Sequence, residues 1–529
     1  VKAGARTMGR SHGGFAASLL LAGLPVAELS DAAARERGRS LLAEYLRAGI
    51  RAFLFPGELL GRPELLAELC ASARTLAEEA GLGAPLVALG GGSAPAFGQP
   101  EASGIASPLA LAALGSRAAL RRAGRLLGAR LARCGVDLLL APRLDLATDP
   151  KGRAGILDGF GEDAVVAGSF GAAFSRALAS RGINACAGRF PGLGTLGTSC
   201  ESPPPLVSFP IDRLEATELR SFARALAGGL RAVLVGRALV PALEPDRIPA
   251  ARSARIIEGR LREELGFKGL VIGDDLCLEA EAGRAAVLGA LAGCDLALAS
   301  EPGTALAAAA ALEAAAAAGE LPAPRIAVAR ARAETLIASL SRRRAAWAGR
   351  PLPEGADAAC KLDLERSLTV LRARGGLGLG AGPTLAAVFL PPGLPDGEAE
   401  ACAAALRLRL PEGHLELLHA DPTPAEAEAI ARRLSAGPSY ASALVLTCDA
   451  HLRPAQEGLA HSIEESVARC AVVAMRDPYD AAFFPRADVL IAVYGFSAAG
   501  CAAAARLLFG EGEDEARGTC PVQVIGLEL

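Results

Sequence analysis

A carboxylate pair, Asp274-Asp275, follows directly on the apolar run Leu270-Val271-Ile272 and one glycine. A carboxylate released at the end of a buried strand can do chemistry or can cap the next helix, and the pair alone is open to both. The same position after other apolar runs yields Asp145, in Ala141-Pro142-Arg143-Leu144-Asp145, and Arg189, in Gly188-Arg189-Phe190-Pro191-Gly192-Leu193-Gly194. It also yields Arg237, after Gly236. Histidine chemistry is almost excluded. The five histidines are His12, His414, His419, His451 and His461, so a base of that type in the first three-quarters of the chain could only be His12. His451 and His461 have no companion ligands at a metal-binding spacing, and the 12 cysteines form no CxxC pair. No metal or organic cofactor is therefore expected, and the cysteines read as small core residues at home in a reducing compartment.

Positioning such groups takes strands that end together. Short apolar runs lie at Ala17–Leu21, Ala52–Phe55, Leu86–Leu89, Val136–Leu140, Asn184–Ala187, Ala232–Val235, Leu270–Ile272 and Asp295–Ala299. Between them lie stretches with apolar residues at helical spacing, such as Glu64–Ala80, Arg117–Cys134 and Ala164–Arg181. Eight strand–helix units predict an α/β fold, a (β/α)8 TIM barrel over residues 1–345. The basic, then Pro/Gly-rich stretch Ser341–Gly355 marks a boundary, giving a linker at 346–364. A second alternating block at 365–529 has candidate strands at Leu385–Leu390, Leu415–Leu418, Ala443–Thr447, Val472–Ala474, Val489–Tyr494 and Val522–Ile525. It predicts a smaller, doubly wound α/β sandwich. The glycine-rich Gly375–Gly382 reads as a linker into that domain.

Composition narrows the function classes. The 529 residues carry 55 Lys+Arg against 58 Asp+Glu, a net charge of −3 that argues against a nucleic-acid binder. At 51% hydrophobic residues the chain can bury a sizeable core, and no apolar run is long enough to span a bilayer. Lys2, Arg6 and Arg10 before Phe15–Val26 imitate a secretory signal, but Ala17–Gly23 reads better as the first barrel strand and its exit, and a cytoplasmic location is expected.

Taken in order, these segments resemble a known family. The APxLD, FPGxG and ELGFKGLVIGDDL patterns are similar to those of glycoside hydrolase family 3. They look most like its bacterial β-N-acetylglucosaminidase branch. The stretches Leu126–Asp145, Ile256–Leu276 and Ala292–Leu298 carry the likeness through the barrel, and Met475–Asp480 with Tyr494-Gly495-Phe496 extend it to the two-domain type. The resemblance implies retaining hydrolysis of terminal β-N-acetylhexosaminides, through a covalent glycosyl-enzyme. It places the nucleophile on Asp274, has Asp275 orient the loop backbone, and has Asp145 brace the floor of the site.

The departures concern the remaining groups. Where the branch has Lys-His before FPG, this chain has Gly188 and Arg189, and where it has His after the sixth strand, this chain has Arg237. The loop that normally carries an Asp-Ser-His acid/base reads Gly194-Thr195-Leu196-Gly197-Thr198-Ser199-Cys200-Glu201-Ser202, which puts Glu201 at the His position. A strand-3 Asp is absent from Val87–Ser93, and the Arg before Phe160-Gly161 is replaced by Asp158, with Arg153 nearby as a substitute. On one reading Glu201 serves as acid/base, while Arg189 and Arg237 take over contacts to the carbohydrate by bidentate hydrogen bonds. On the other the site is degenerate, and the protein is a catalytically silent sugar- or protein-binding homologue. Scarce aromatic residues, with Tyr45 and the phenylalanines as the only platforms for a sugar face, favour the second. Oligomerisation would run through the C-terminal domain.

Overall fold

The computed structural model describes residues 16–26, 29–90, 104–148, 156–193, 204–394, 397–410, 413–510, 516–524 and 527. Eight strands, β1 (Leu20–Gly23), β2 (Ala52–Phe55), β3 (Leu86–Leu89), β4 (Leu138–Leu139), β5 (Asn184–Phe190), β6 (Ala232–Val235), β7 (Leu270–Gly273) and β8 (Leu296–Ala299), close into a parallel barrel. The first is shifted from its expected place. Ala16–Leu19 forms a 3-10 turn, because the Ala17 N–H is drawn to the Glu313 carboxylate (2.9 Å) instead of a neighbouring strand.

Alternate residues point inward and stack: Leu21, Leu54, Ala88, Leu138, Cys186, Ala232, Ile272 and Leu298 all belong to one buried cluster. That filling makes the barrel a packed core, not a pore. Leu336, from the helix Ala323–Ala348, joins the same cluster and stops the end opposite the strand exits.

The same helix ties that closed end together electrostatically. Asp137 and Asp295, each fully buried, immediately precede β4 and β8. The Asp137 carboxylate accepts from the Val87 N–H and the Asp137 N–H donates to the Val87 carbonyl, both at 2.8 Å. Asp295 does the same with Val271, at 2.9 and 2.8 Å. Arg344 and Arg74 meet the Asp137 carboxylate, while Arg262, Arg325 and Arg332 meet that of Asp295. Arg325, Arg332 and Arg344 all lie on Ala323–Ala348. Removing one partner of a buried ion pair leaves the others uncompensated, at a cost of about 3 kcal/mol. Asp295→Ala is therefore expected to lower the barrel's unfolding midpoint in urea, and an unshifted midpoint would remove this helix's clamping role.

In the second domain β9 (Thr369–Ala373), β10 (Thr384–Leu390), β11 (His414–His419), β12 (Ser442–Thr447), β13 (Arg469–Ala474) and β14 (Val489–Ala492) form one sheet in the order β11-β10-β12-β13-β14-β9. Five strands run parallel and β9 runs antiparallel at the edge. Helices cover both faces, which is the doubly wound arrangement. Two expectations need correction. The sixth strand is β9, and Val522–Val524 are not a strand. Pro521 and Gln523 bond instead to the backbone N–H and carboxylate of Glu162, fastening this segment onto the barrel. Gly375–Gly382 does not lead into the domain but joins β9 to β10 within it. The Arg469 guanidinium holds the turn through the carbonyls of Arg374, Gly376 and Gly378.

Candidate active site

The strand exits converge at the end of the barrel opposite Leu336. Asp274 is the first residue after β7, and its carboxylate is held from three directions. The Asp275 N–H donates to Oδ1 at 3.0 Å, the Arg237 N–H donates to Oδ2 at 3.1 Å, and the Arg189 Nε lies 3.9 Å from Oδ1. Three strands thus meet at one carboxylate: β7 carries it, β6 presents Arg237, and β5 contains Arg189. The Asp274 side chain keeps 8% exposure.

The other carboxylates at the mouth hold backbone. Asp275 accepts N–H bonds from Cys277 and Ser300, both 3.1 Å, and so links the exits of β7 and β8. Asp145 accepts from Arg189 N (3.2 Å) and Leu193 N (2.5 Å), with the Arg143 Nε at 3.5 Å. Arg237 is buried, and its guanidinium donates to the Leu278 carbonyl at 3.1 Å. Asp274, Asp275, Asp145, Arg189 and Arg237 are therefore assembled in one place. Glu201, Arg153 and His12 lie outside the described residues. Tyr45 is not a sugar platform: it is fully buried, its hydroxyl donating to the Gly23 carbonyl at 2.8 Å.

Three groups at this mouth carry no site role on the sequence alone, Asp158 standing there only as the replacement of an Arg. Asp158 sits on a 3-10 turn (Ile156–Asp158) after β4 and is 7% exposed. Burial pushes its carboxyl up to about 7, against the opposing pull of Arg143, Arg476 and Arg189. Arg143 joins both Asp145 and Asp158 to this field. Arg476 arrives from the second domain, in the Met475–Asp480 segment that carried the family likeness, and pairs with Asp449 at 3.3 Å. The Tyr479 hydroxyl of the same segment donates to the Ala147 carbonyl at 3.0 Å, and Ser107 Oγ donates to the Tyr494 carbonyl at 2.6 Å. These bonds seat the second domain on the barrel's mouth. Beside them His451 Nδ1 lies 2.7 Å from Asp480 and Nε2 lies 3.5 Å from Asp477. Burial pushes the Asp477 carboxyl up to about 7, with the imidazole opposing.

These protons couple folding to pH. Asp158 and Asp477 hold a proton to about 7 when folded but ordinary aspartates release it near 4. Their stabilisation is complete below the unfolded value and is lost as pH rises through the folded one. The unfolding temperature is expected to fall as pH rises from about 4 to about 7. Asp158→Asn, neutral at every pH, should flatten that slope; an unchanged slope would show that Asp158 is not the group responsible.

Comparison with known proteins points one way. The profile of the glycosyl hydrolase family 3 N-terminal domain matches residues 24–336. The chain is 34% identical over 194 residues to a beta-hexosaminidase of Xanthomonas campestris pv. campestris strain B100, a match over 36% of this chain and 57% of that protein. A beta-hexosaminidase of Stenotrophomonas maltophilia strain K279a is 34% identical over 174 residues, 32% of this chain and 50% of the relative. The matched region thus spans only about half the length of these relatives. A solved structure of a family 3 beta-N-acetylglucosaminidase from Paenibacillus sp. str. FPU-7 superposes with a TM-score of 0.82 at 25% identity, covering 97% of this chain and 99% of that one. A fungal multi-domain beta-N-acetylglucosaminidase shares the fold, with a TM-score of 0.82 at 22% identity over 97% of this chain and 61% of its own.

Proposed function

The chain belongs to glycosyl hydrolase family 3, and we propose that it is a retaining glycosidase acting on terminal β-N-acetylhexosaminides, with Asp274 as nucleophile. The observation that carries this reading is the fixed carboxylate. Two N–H donors and a guanidinium orient Asp274 at a strand exit, where an anomeric carbon can be presented to it. Attack by one oxygen breaks the glycosidic bond and forms an ester, a second group protonates the departing oxygen, and water then cleaves the ester. The names of the Xanthomonas and Paenibacillus relatives support the N-acetylhexosamine preference.

Two carboxyls compete for the role of acid. Glu201 occupies the place of the family's His in the sequence. Asp158 is a mouth carboxyl that burial keeps protonated near neutrality, under the influence of the same Arg189 that approaches Asp274. Arg189 and Arg237 complete the binding surface, Arg189 at its wall and Arg237 beneath it.

The test is an aryl β-N-acetylglucosaminide whose leaving group needs no protonation, with intact-protein mass spectrometry to catch the ester. A covalent glycosyl adduct supports the proposal. No adduct and no turnover would retire the hydrolase reading for these sugars and favour a non-catalytic sugar- or protein-binding homologue.

A further inference from the structure

On the outer wall of the barrel, away from Asp274, a groove of about 510 Å³ runs between the helices Arg117–Cys134, Ala164–Ala179 and Glu218–Ala227. Its floor is Ala172, Ala173 and Ala177, and its rim carries five exposed arginines: Arg117, Arg121, Arg125, Arg176 and Arg224. Small residues create the depth. A Cβ on Gly124 would lie 2.7 Å from that of Ala177, and one on Gly228 would lie 2.2 Å from that of Ala172, so the helices close tightly beneath the rim. Arg117, Arg121 and Arg125 follow at intervals of four residues, which puts them on one face about 6 Å apart along the axis.

The pairing of these arginines is what singles them out. On the same first helix Arg122 is matched by Asp363 and Arg130 by Asp357. Among the described residues none of the five rim arginines pairs with a carboxylate; Arg224 meets Ser169 Oγ (3.4 Å) and Arg176 meets the Gly228 carbonyl (3.5 Å). Five like charges around one concavity repel each other and concentrate a positive field inside it. An anion relieves that repulsion, and planar guanidinium forks suit phosphate oxygens in particular.

We propose that this groove is a binding site for a compact, multiply phosphorylated ligand carrying three or more negative charges. The volume fits a small molecule. The lining has no aromatic ring on which a nucleobase of a single strand could stack, which argues against a nucleic acid. The alanine floor leaves room for an uncharged part of the ligand beside its phosphates.

The experiment is isothermal titration of the full chain with inorganic tripolyphosphate at physiological salt, compared with orthophosphate and a single-stranded oligonucleotide. The expected result is saturable one-to-one binding of tripolyphosphate, weakened about tenfold or more in the Arg121→Gln/Arg176→Gln double variant and unchanged in Arg486→Gln, at a remote exposed site. These arginines are exposed, so the substitutions leave folding intact. Absent saturation, or equal weakening in Arg486→Gln, would overturn the proposal. Tighter oligonucleotide binding that the double variant loses would also overturn it, in favour of nucleic acid.

Discussion

Asp274→Asn is expected to lower kcat on the order of 10⁴-fold or more and to abolish the glycosyl adduct. At about 1.4 kcal/mol per factor of ten, that is roughly 5–6 kcal/mol of transition-state stabilisation. The substitution is nearly isosteric. The amide oxygen still accepts one of the two N–H bonds from Asp275 and Arg237, so the loss falls on the chemistry more than on the loop. An unchanged unfolding temperature alongside the lost turnover would separate the two. Asp274→Gly offers a complementary readout: azide entering the vacated space should attack the anomeric carbon and release a glycosyl azide of inverted configuration. Turnover by Asp274→Asn at the native rate would eliminate Asp274 as nucleophile.

The second large effect concerns the proton. Removing a general acid costs about 10³-fold on a glycoside with a poor leaving group and little on one whose leaving group departs as a stable anion. Glu201→Gln is expected to give this split. Asp158→Asn should leave the ratio between the two substrates near native, because an amide preserves a neutral hydrogen-bonding group beside Arg189. The reverse pattern would transfer the acid role to Asp158. A uniform loss on both substrates in either variant would instead mean impaired binding.

The barrel was legible because a fully buried parallel strand must be continuously apolar, and Phe53-Leu54-Phe55 or Val271-Ile272 can be little else. Its exit residues were legible for the same reason: Asp274 stands next to such a run. What escaped were features set by distant partners. β9 is hard to read locally because it is a five-residue edge strand in which buried Thr369 and Leu371 alternate with part-exposed Val370 and Arg372, too short a pattern to stand out. Val522–Val524 imitate a strand because apolar residues are buried equally well by docking on a neighbouring domain, as Val522 and Val524 are; Ile525 lies outside the described residues. The proton on Asp158 is held by burial against the pull of cations that include Arg476, more than 300 positions away in the chain, and no local pattern encodes either. Tyr45 shows that an aromatic residue on an amphipathic helix is as readily a core residue with one satisfied hydroxyl as a platform for a sugar.

The helix Ala323–Ala348 also bears on how such a protein can be rebuilt by recombination. The eighth strand is not where the barrel becomes self-sufficient: Arg325, Arg332 and Arg344 reach back to acids placed four strands apart. A crossover upstream of Arg344 that brings in a foreign second domain separates Asp137 from a counter-charge that its own half of the gene no longer encodes. A crossover between Ala348 and Ala356 keeps every one of those pairs, so viable chimaeras of this architecture should share their sequence through Arg344 and diverge only after it.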